Sequence, residues 1–422
     1  MTRGPNRRHV IAGAGAALAL SPARFAQAQS SEPIRLGMQL HRTGIGSSYG
    51  RWYGRTAEAA VARINGEGGI AGRPVELLIE DDGTDPRRGA EVVEKLATAD
   101  GADLIFGPLF SNVVLGSAPR AGELKIPYVV CSEGYHVASG ALNRYCFQPG
   151  ITDVRAQVSS MAPWMVENLG RRVTMIFPDY AFGHDHRDFL SAAIEAQGGE
   201  VAAQIPIPPT ESSFTRYFPR IPRDTEVLYH VMVGPAVLTF VQELGRFYGA
   251  NRPEVFGFID SLEAVDLATP QLDFLEGTHF WEGHARYVQG EADEIESAYR
   301  EAVGVDENGA SVRDPQDVST YGHMFSVWET LHQIKAAMEA SGYSGRTPEA
   351  TEALVLALED LGTMERSIEH PQGRKIFVPE IHQSFGPQFI SRVSEGRLDV
   401  VHRVEAEETM YEPEADYTQM PL

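Results

Sequence analysis

Cysteine, basic charge and long apolar runs are all scarce in this chain, and each scarcity closes off a class of protein. Two cysteines in 422 residues exclude a disulfide-stapled scaffold and a four-cysteine zinc or iron–sulfur site. Lys and Arg number 36 against 58 Asp and Glu, a formal charge of −22. The first 28 residues hold four Arg and no acid, so a chain starting after them carries 32 − 58 = −26. That balance argues against a nucleic-acid partner, which draws on a basic footprint. Beyond the N-terminus no apolar run reaches the roughly 18 residues of a membrane-spanning helix. What is present is ample: 43% hydrophobic and 9% aromatic residues fill full-sized cores and argue against global disorder. At roughly 100–200 residues per domain, the length allows two to four domain-sized units.

The N-terminus reads as an address. Arg7-Arg8 precede an apolar stretch from Val10 to Leu20, the length of a signal core and too short to cross a bilayer. Ala26-Gln27-Ala28 fits small-x-small cleavage, so residues 1–28 are expected to be a signal peptide of the twin-arginine or the general secretory kind. No cysteine follows to carry a lipid, and the expected location is the periplasm. In that oxidising compartment Cys131 and Cys146 admit two readings. If their apolar runs are neighbouring strands, the sulfurs could meet in a disulfide; otherwise they are buried free thiols, and geometry decides.

Short apolar strands then alternate with amphipathic helices. Ile34–Leu40, Pro74–Ile79 and Leu104–Phe106 read as strands, and Ala57, Ala60, Val61 and Ile64 mark a helix face at i, i+3, i+4, i+7. Asp85-Pro86 supplies an N-cap and a first-turn proline. The order repeats with strands at Val173–Phe177, Val201–Ile207, Val227–Val233 and Glu254–Ile259, and helices at Asp185–Gln197 and Pro235–Tyr248. Such alternation predicts an α/β fold of two doubly wound parallel-sheet lobes. Helical patterns at 317–341 and 348–361 must pack back on one lobe, and the acidic segment after Glu405 reads as a solvated end.

Few residues suggest chemistry. Gly46-Ser47-Ser48-Tyr49-Gly50 matches the nucleophile elbow of hydrolases, but an elbow joins strand directly to helix, and a glycine-rich loop intervenes here. Gly44-x-Gly46 echoes a dinucleotide loop whose third glycine falls one place too far, at Gly50. His184-Asp185-His186 looks metal-like, yet i, i+2 residues do not share a helix face, and a capped surface helix explains the letters. No metal, cofactor or catalytic group is therefore expected. Open α/β sheets bind ligands at the carboxyl ends of their strands. Tyr49, Ser111, Ser132 to Tyr135, Phe182, Gly234 and Asp260 fall there, a mixture of hydroxyls, rings and one acid that suits recognition.

Three segments then carry a resemblance: Asn65-Gly-Glu-Gly-Gly-Ile-Ala-Gly-Arg-Pro-Val75, Glu80-Asp-Asp-Gly-Thr-Asp-Pro86 and Ile105-Phe-Gly-Pro-Leu-Phe-Ser111. Together with Pro178–Gly183 and Val255–Asp260, they resemble the leucine/isoleucine/valine-type periplasmic binding proteins of ABC importers. The end, Gly386 to Val401, looks closer to the urea and short-amide branch. The resemblance implies a type I binding-protein fold with a three-strand hinge near Gln148–Gly150, Trp281–Gly283 and Glu369–Gly373. Residues 32–148 and 283–370 would form one lobe, 149–282 and 371–404 the other, with 405–422 as an acidic tail. It also implies a monomer that captures a small amino acid, amide or small carboxylate and hands it to an inner-membrane permease. Ser111 would hold the ligand carboxylate with help from Ser132 and Tyr135, and Asp260 its ammonium. Phe182 stands where a Tyr is common, and the usual aromatic is missing near Gly234. Tyr49, Tyr135 and Phe182 would wall the site with rings. Two other uses of the same chain are a sensor module for a signalling receptor and a serine hydrolase or amidase built on Ser48.

Overall fold

The computed structural model describes residues 32–234, 236–258, 270–286 and 293–422. Five strands form the first sheet: β1 (Ile34–Leu40), β2 (Val75–Asp81), β3 (Leu104–Phe106), β4 (Tyr128–Val129) and β5 (Cys146–Phe147). Their order is β2-β1-β3-β4-β5, with every pairing parallel. β1 is buried almost throughout, as a central parallel strand covered on both faces must be. Helix α1 (Ser47–Gly66) packs over one face, and α2 (Pro86–Thr98) and α3 (Ser111–Glu123) over the other.

Helix α1 begins ten residues before the first apolar position read from the periodicity, because its glycines serve close packing and not flexibility. A Cβ on Gly50 would lie 2.0 Å from the His41 carbonyl, and one on Gly46 would lie 2.6 Å from the Phe110 ring. The same device opens the second unit. There α4 (Val154–Asn168) leads into β6 (Arg172–Pro178) and α5 (Ala181–Ala196), and a Cβ on Gly183 would lie 1.9 Å from the Pro178 carbonyl. α5 therefore starts before Asp185, the expected cap. His186 is buried, with Nδ1 2.7 Å from the Tyr229 hydroxyl, which corrects the surface-helix reading.

β7 (Glu200–Ile207), β8 (Val227–His230), α6 (Val237–Tyr248), β9 (Glu254–Phe258) and β10 (His279–Glu282) follow. The chain then returns to the first sheet through α7 (Glu294–Val303), the short pair β11 (Ala310–Ser311) and β12 (Asp314–Val318), α8 (Tyr321–Ala340) and α9 (Pro348–Glu359). Trp328 and Leu331 of α8 and Leu354 of α9 share one core with Trp52 and Tyr53 of α1. A three-stranded antiparallel sheet of β13 (Thr363–Met364), β14 (Lys375–Val378) and β15 (Gln383–Phe385) leads into β16 (Gln388–Ser394) and β17 (Arg397–Val404). These last two complete the second sheet, ordered β17-β16-β10-β9-β8-β6-β7. Glu395 and Gly396, both at positive φ (53° and 75°), make the two-residue turn that joins them.

Where the chain passes between the sheets, buried amides join the crossings. Gln383 Nε2 donates to the Ile151 carbonyl at 2.7 Å, and Gln372 Nε2 to the carbonyls of Gly283 (2.7 Å) and Pro387 (3.2 Å). Lys375 Nζ donates to the Gly150 carbonyl and to Glu329, both side chains being fully buried.

One open alternative is decided and one expectation is corrected. β4 and β5 are neighbours, but their register sets Cys146 opposite Tyr128, three residues before Cys131. An odd offset sends the side chains to opposite faces, and the two sulfurs lie in different cores as free buried thiols. The acidic C-terminal segment is not solvated along its length. Tyr417 is fully buried and donates to the Val137 carbonyl, Tyr411 donates to Asp153, and Glu414 pairs with Arg155.

Candidate ligand-binding site

In each sheet the chain builds outward first one way and then the other, from β1 to β2 and then β3, and from β6 to β7 and then β8. Ligand crevices form at the carboxyl ends of strands flanking such a reversal. Side chains from both reversals meet around a cavity of about 280 Å³: Tyr49, Leu109, Phe110, Ser111 and Glu133 from the first unit, Tyr180, Phe182 and Val233 from the second. Two larger basins lie at the amino ends of the strands, away from these reversals, and another lies outside the end of β1 against α1, lined by Arg42, Arg51 and Arg55.

His41, one residue past β1, holds the first unit's loops in place. Its Nδ1 lies 2.7 Å from Asp82 Oδ1, and its Nε2 accepts from the backbone N–H of Leu109 (2.8 Å) and Phe110 (3.3 Å). With Nε2 accepting, the ring proton sits on Nδ1 and goes to Asp82. The loop before α3 is thereby fixed, and buried Ser111 enters the cavity wall as the first residue of that helix. The positive end of a 13-residue helix borders the space.

Glu133 lies just beyond β4 and is buried. Its Oε1 accepts from Gln157 Nε2 at 2.9 Å, and its Oε2 is 3.2 Å from His323 Nε2. Rings close the remainder. Tyr49 meets Phe110 edge-on at 6.0 Å and His323 at 5.9 Å, Tyr180 stacks on Phe182 at 6.2 Å, and Phe182 leans on Phe258 at 5.6 Å. None of the eight lining residues is Lys or Arg. A helix start with a hydroxyl suits a carboxylate or amide oxygen, a buried acid suits a donor, and rings suit an apolar or flat body.

Tyr49, Ser111 and Phe182, taken from sequence, come together here. Ser132 lies behind the wall, its Oγ accepting from Gly134 N–H at 3.3 Å and lying 3.4 Å from His136 Nε2. Tyr135 is turned away: its hydroxyl donates to Glu414 and accepts from Arg155, and its ring meets Phe189. Gly234, at positive φ, sits opposite Ile45 without lining the cavity. Asp260 lies outside the described residues. Ser48 sits in the first turn of α1 and does not line the cavity. Glu133 was hidden inside the run Ser132–Tyr135, where its charge was the available signal. Phe110 and Tyr180 carried none beyond adjacency to Ser111 and Phe182.

A family model described as periplasmic binding protein matches residues 33–397, and the chain belongs to that family. It is 24% identical over 357 residues to the Leu/Ile/Val-binding protein BraC3 of Rhizobium johnstonii, covering 82% of this chain and 87% of that one. Among solved structures, it superposes with a TM-score of 0.75 on a solute binding protein of an ABC transporter from Rhodopseudomonas palustris BisB5, in complex with 3,4-dihydroxybenzoic acid. That match has 18% identity and covers 89% of this chain and 98% of the other. A leucine binding protein from Thermotoga maritima gives a TM-score of 0.72 at 16% identity, covering 89% and 99%. At such identities the likeness to solved structures is one of fold. None of these three relatives is named for urea or an amide.

Proposed function

We propose that the chain is exported to the periplasm after removal of residues 1–28 and binds a small α-amino acid with an apolar or aromatic side chain for delivery to an ABC-type permease, without catalysing a reaction. The observation that carries the ligand class is the cavity's polarity. The start of α3 with Ser111 faces a ligand carboxylate, Glu133 faces its ammonium, and Tyr49, Phe110, Tyr180 and Phe182 surround the side chain. Glu133 supplies an acid for the ammonium, the part also expected of Asp260. The two sheets with their helices act as lobes that close over the ligand about the three crossings, since the cavity draws side chains from both. Ligand contacts to both sides shift the population toward the closed form.

An aromatic acid without an amine is the second reading, favoured by the four rings and by the dihydroxybenzoic acid bound in the Rhodopseudomonas relative. Glu133→Gln separates the two. Thermal-shift titrations with leucine, phenylalanine and benzoate should show the wild type stabilised by an amino acid, because ligand at 100 times its dissociation constant adds about 2.7 kcal/mol. The variant should need at least tenfold more of that amino acid, a loss of about 1.4 kcal/mol. If benzoate alone stabilises the protein and the variant binds it as well or better, the amino-acid reading is wrong.

A further inference from the structure

The second sheet carries another opening at its far end, where the amino ends of β9 and β10 border an open basin of about 1070 Å³. His279, the first residue of β10, stands opposite Arg392 of β16 in antiparallel register, so both side chains leave the same face. Arg252 comes from the turn ahead of β9. A Cβ built on Gly277 would lie 3.3 Å from Arg392 Nη2 and 3.8 Å from Arg252 Nη2, so the two guanidiniums converge on one space. Arg252 donates from Nη2 to the Glu276 carbonyl at 2.6 Å and stands 5.2 Å from the Phe274 ring. The Arg392 guanidinium makes no hydrogen bond or ion pair with a described residue. Asp399 of β17 stands opposite Arg392 in the antiparallel register, and two acids stand at the rim: Glu254, which offsets part of the burial of Arg252, and Glu276, whose carboxylate accepts the Glu395 N–H at 2.9 Å. Neither forms an ion pair with the arginines.

The acids near the arginines at least match them in number but form no ion pair with them. Burial holds Arg252 below the ordinary arginine range, and burial followed by the two arginines brings His279 down to about 4. His279 is buried, and its Nδ1 has no hydrogen-bond partner. Trp164, half-buried in α4, forms the adjoining wall, 5.4 Å from His279 and stacked at 6.2 Å on His402. Two converging guanidiniums without an ion pair to a described acid, beside an imidazole and an aromatic wall, offer donors to a planar anion.

We propose that this basin is a second ligand site, which takes a carboxylate carried on a flat ring, with the carboxylate between Arg252 and Arg392 and the ring against Trp164. Guanidinium forks match the planar carboxylate, and the indole favours a ring beside it. Indole-15N-labelled mature protein tests this, with the Trp164 resonance assigned by Trp164→Phe. Benzoate should move that resonance saturably, at a midpoint at least roughly tenfold below that of acetate at matched ionic strength. Arg392→Ala should raise the benzoate midpoint roughly tenfold or more, and Arg392→Lys by less, because a lysine keeps the charge without the fork. Arg392 is exposed on its strand, so both variants keep the fold. Ser111→Ala, in the cavity between the sheets, should leave the Trp164 titration unchanged. Equal midpoints for benzoate and acetate, an unaltered midpoint in Arg392→Ala, or loss of the response in Ser111→Ala would each overturn the proposal.

Discussion

At the crossings, Lys375 is surrounded by the Glu329 carboxylate, the Gly150 carbonyl and the Phe325 ring at 4.8 Å, while Glu329 also accepts the Gln372 N–H at 3.0 Å. In the cavity, Glu133 has Gln157 and His323, yet it still lines empty space together with Ser111. Burial pushes Lys375 down and Glu329 up, and each charge offsets the shift of the other. The difference lies in what the polar groups are for. Where three segments must stay in register, the buried charges are paired internally, although amide atoms of Gln148, Gln372 and Gln388 nearby are buried without a partner among the described residues. In the proposed ligand cavity, a buried acid and a hydroxyl instead border open space.

Removing one member of the crossing pair should have the largest effect. Lys375→Met leaves Glu329 buried and unpaired, and urea denaturation should show a loss of about 3–5 kcal/mol. Lys375→Met combined with Glu329→Leu should recover most of it, since an apolar pair of similar volume removes the unpaired charge. A double variant no more stable than the single one would show that the pair is not an isolated unit.

Acid should act next, at the junction that ties the C-terminal segment to the first sheet. Burial alone would raise Glu359, but the forked Arg144 guanidinium (2.7 and 2.8 Å) and His382 bring it down to about 2, against an ordinary 4.5. Its folded value lies below its unfolded one. Its contribution is therefore complete above about pH 4.5 and is lost as the pH falls towards 2. Glu359→Gln should be less stable at pH 6 and should lose less between pH 5 and 3, as read from urea midpoints at each pH.

Ser111→Ala sharpens the comparison from the cavity side. Losing one hydroxyl there should weaken ligand binding by about 0.5–1.5 kcal/mol, measured by calorimetry. The ligand-free melting temperature should barely move, unlike that of the crossing variants. The smallest effect is expected at the thiols. Burial raises Cys131 to about 12 and pushes Cys146 up as well, so both should resist a thiol reagent until urea unfolds the chain. A reductant should leave the melting temperature unchanged; a drop would reveal a disulfide that the β4–β5 register forbids.

The strands and helices were legible because periodicity and capping act within a few residues. Ile34–Leu40 reads as a buried strand from its own letters, and Asp85-Pro86 as a helix start, its carboxylate accepting from the N–H groups of Arg87 and Arg88. The family resemblance was legible in the same way, from contiguous segments. Distance decided what was missed. The apolar runs holding Cys131 and Cys146 are visible in sequence, but the register that keeps the sulfurs apart is set by sheet order. The acidic letters after Glu405 suggest a solvated end, yet Tyr411 and Tyr417 are apolar enough to dock, and the surface that receives them is made by residues far earlier in the chain.

The cavity shows the same division. Sequence alone determined that rings and hydroxyls would stand at the carboxyl ends of strands, because the alternation of strand and helix fixes which end of a sheet each loop serves. Which of those side chains face one another was decided only by the tertiary structure. Ser111 and Phe182 line the cavity from its two units while Tyr135, equally well placed in sequence, turns toward Arg155 and the C-terminal segment. Glu133 gained its place because β4 ends beside α4 and α8, where Gln157 and His323 hold its carboxylate. A side chain's direction depends on which partners, tens or hundreds of residues away, compete for it, and no local pattern carries that information.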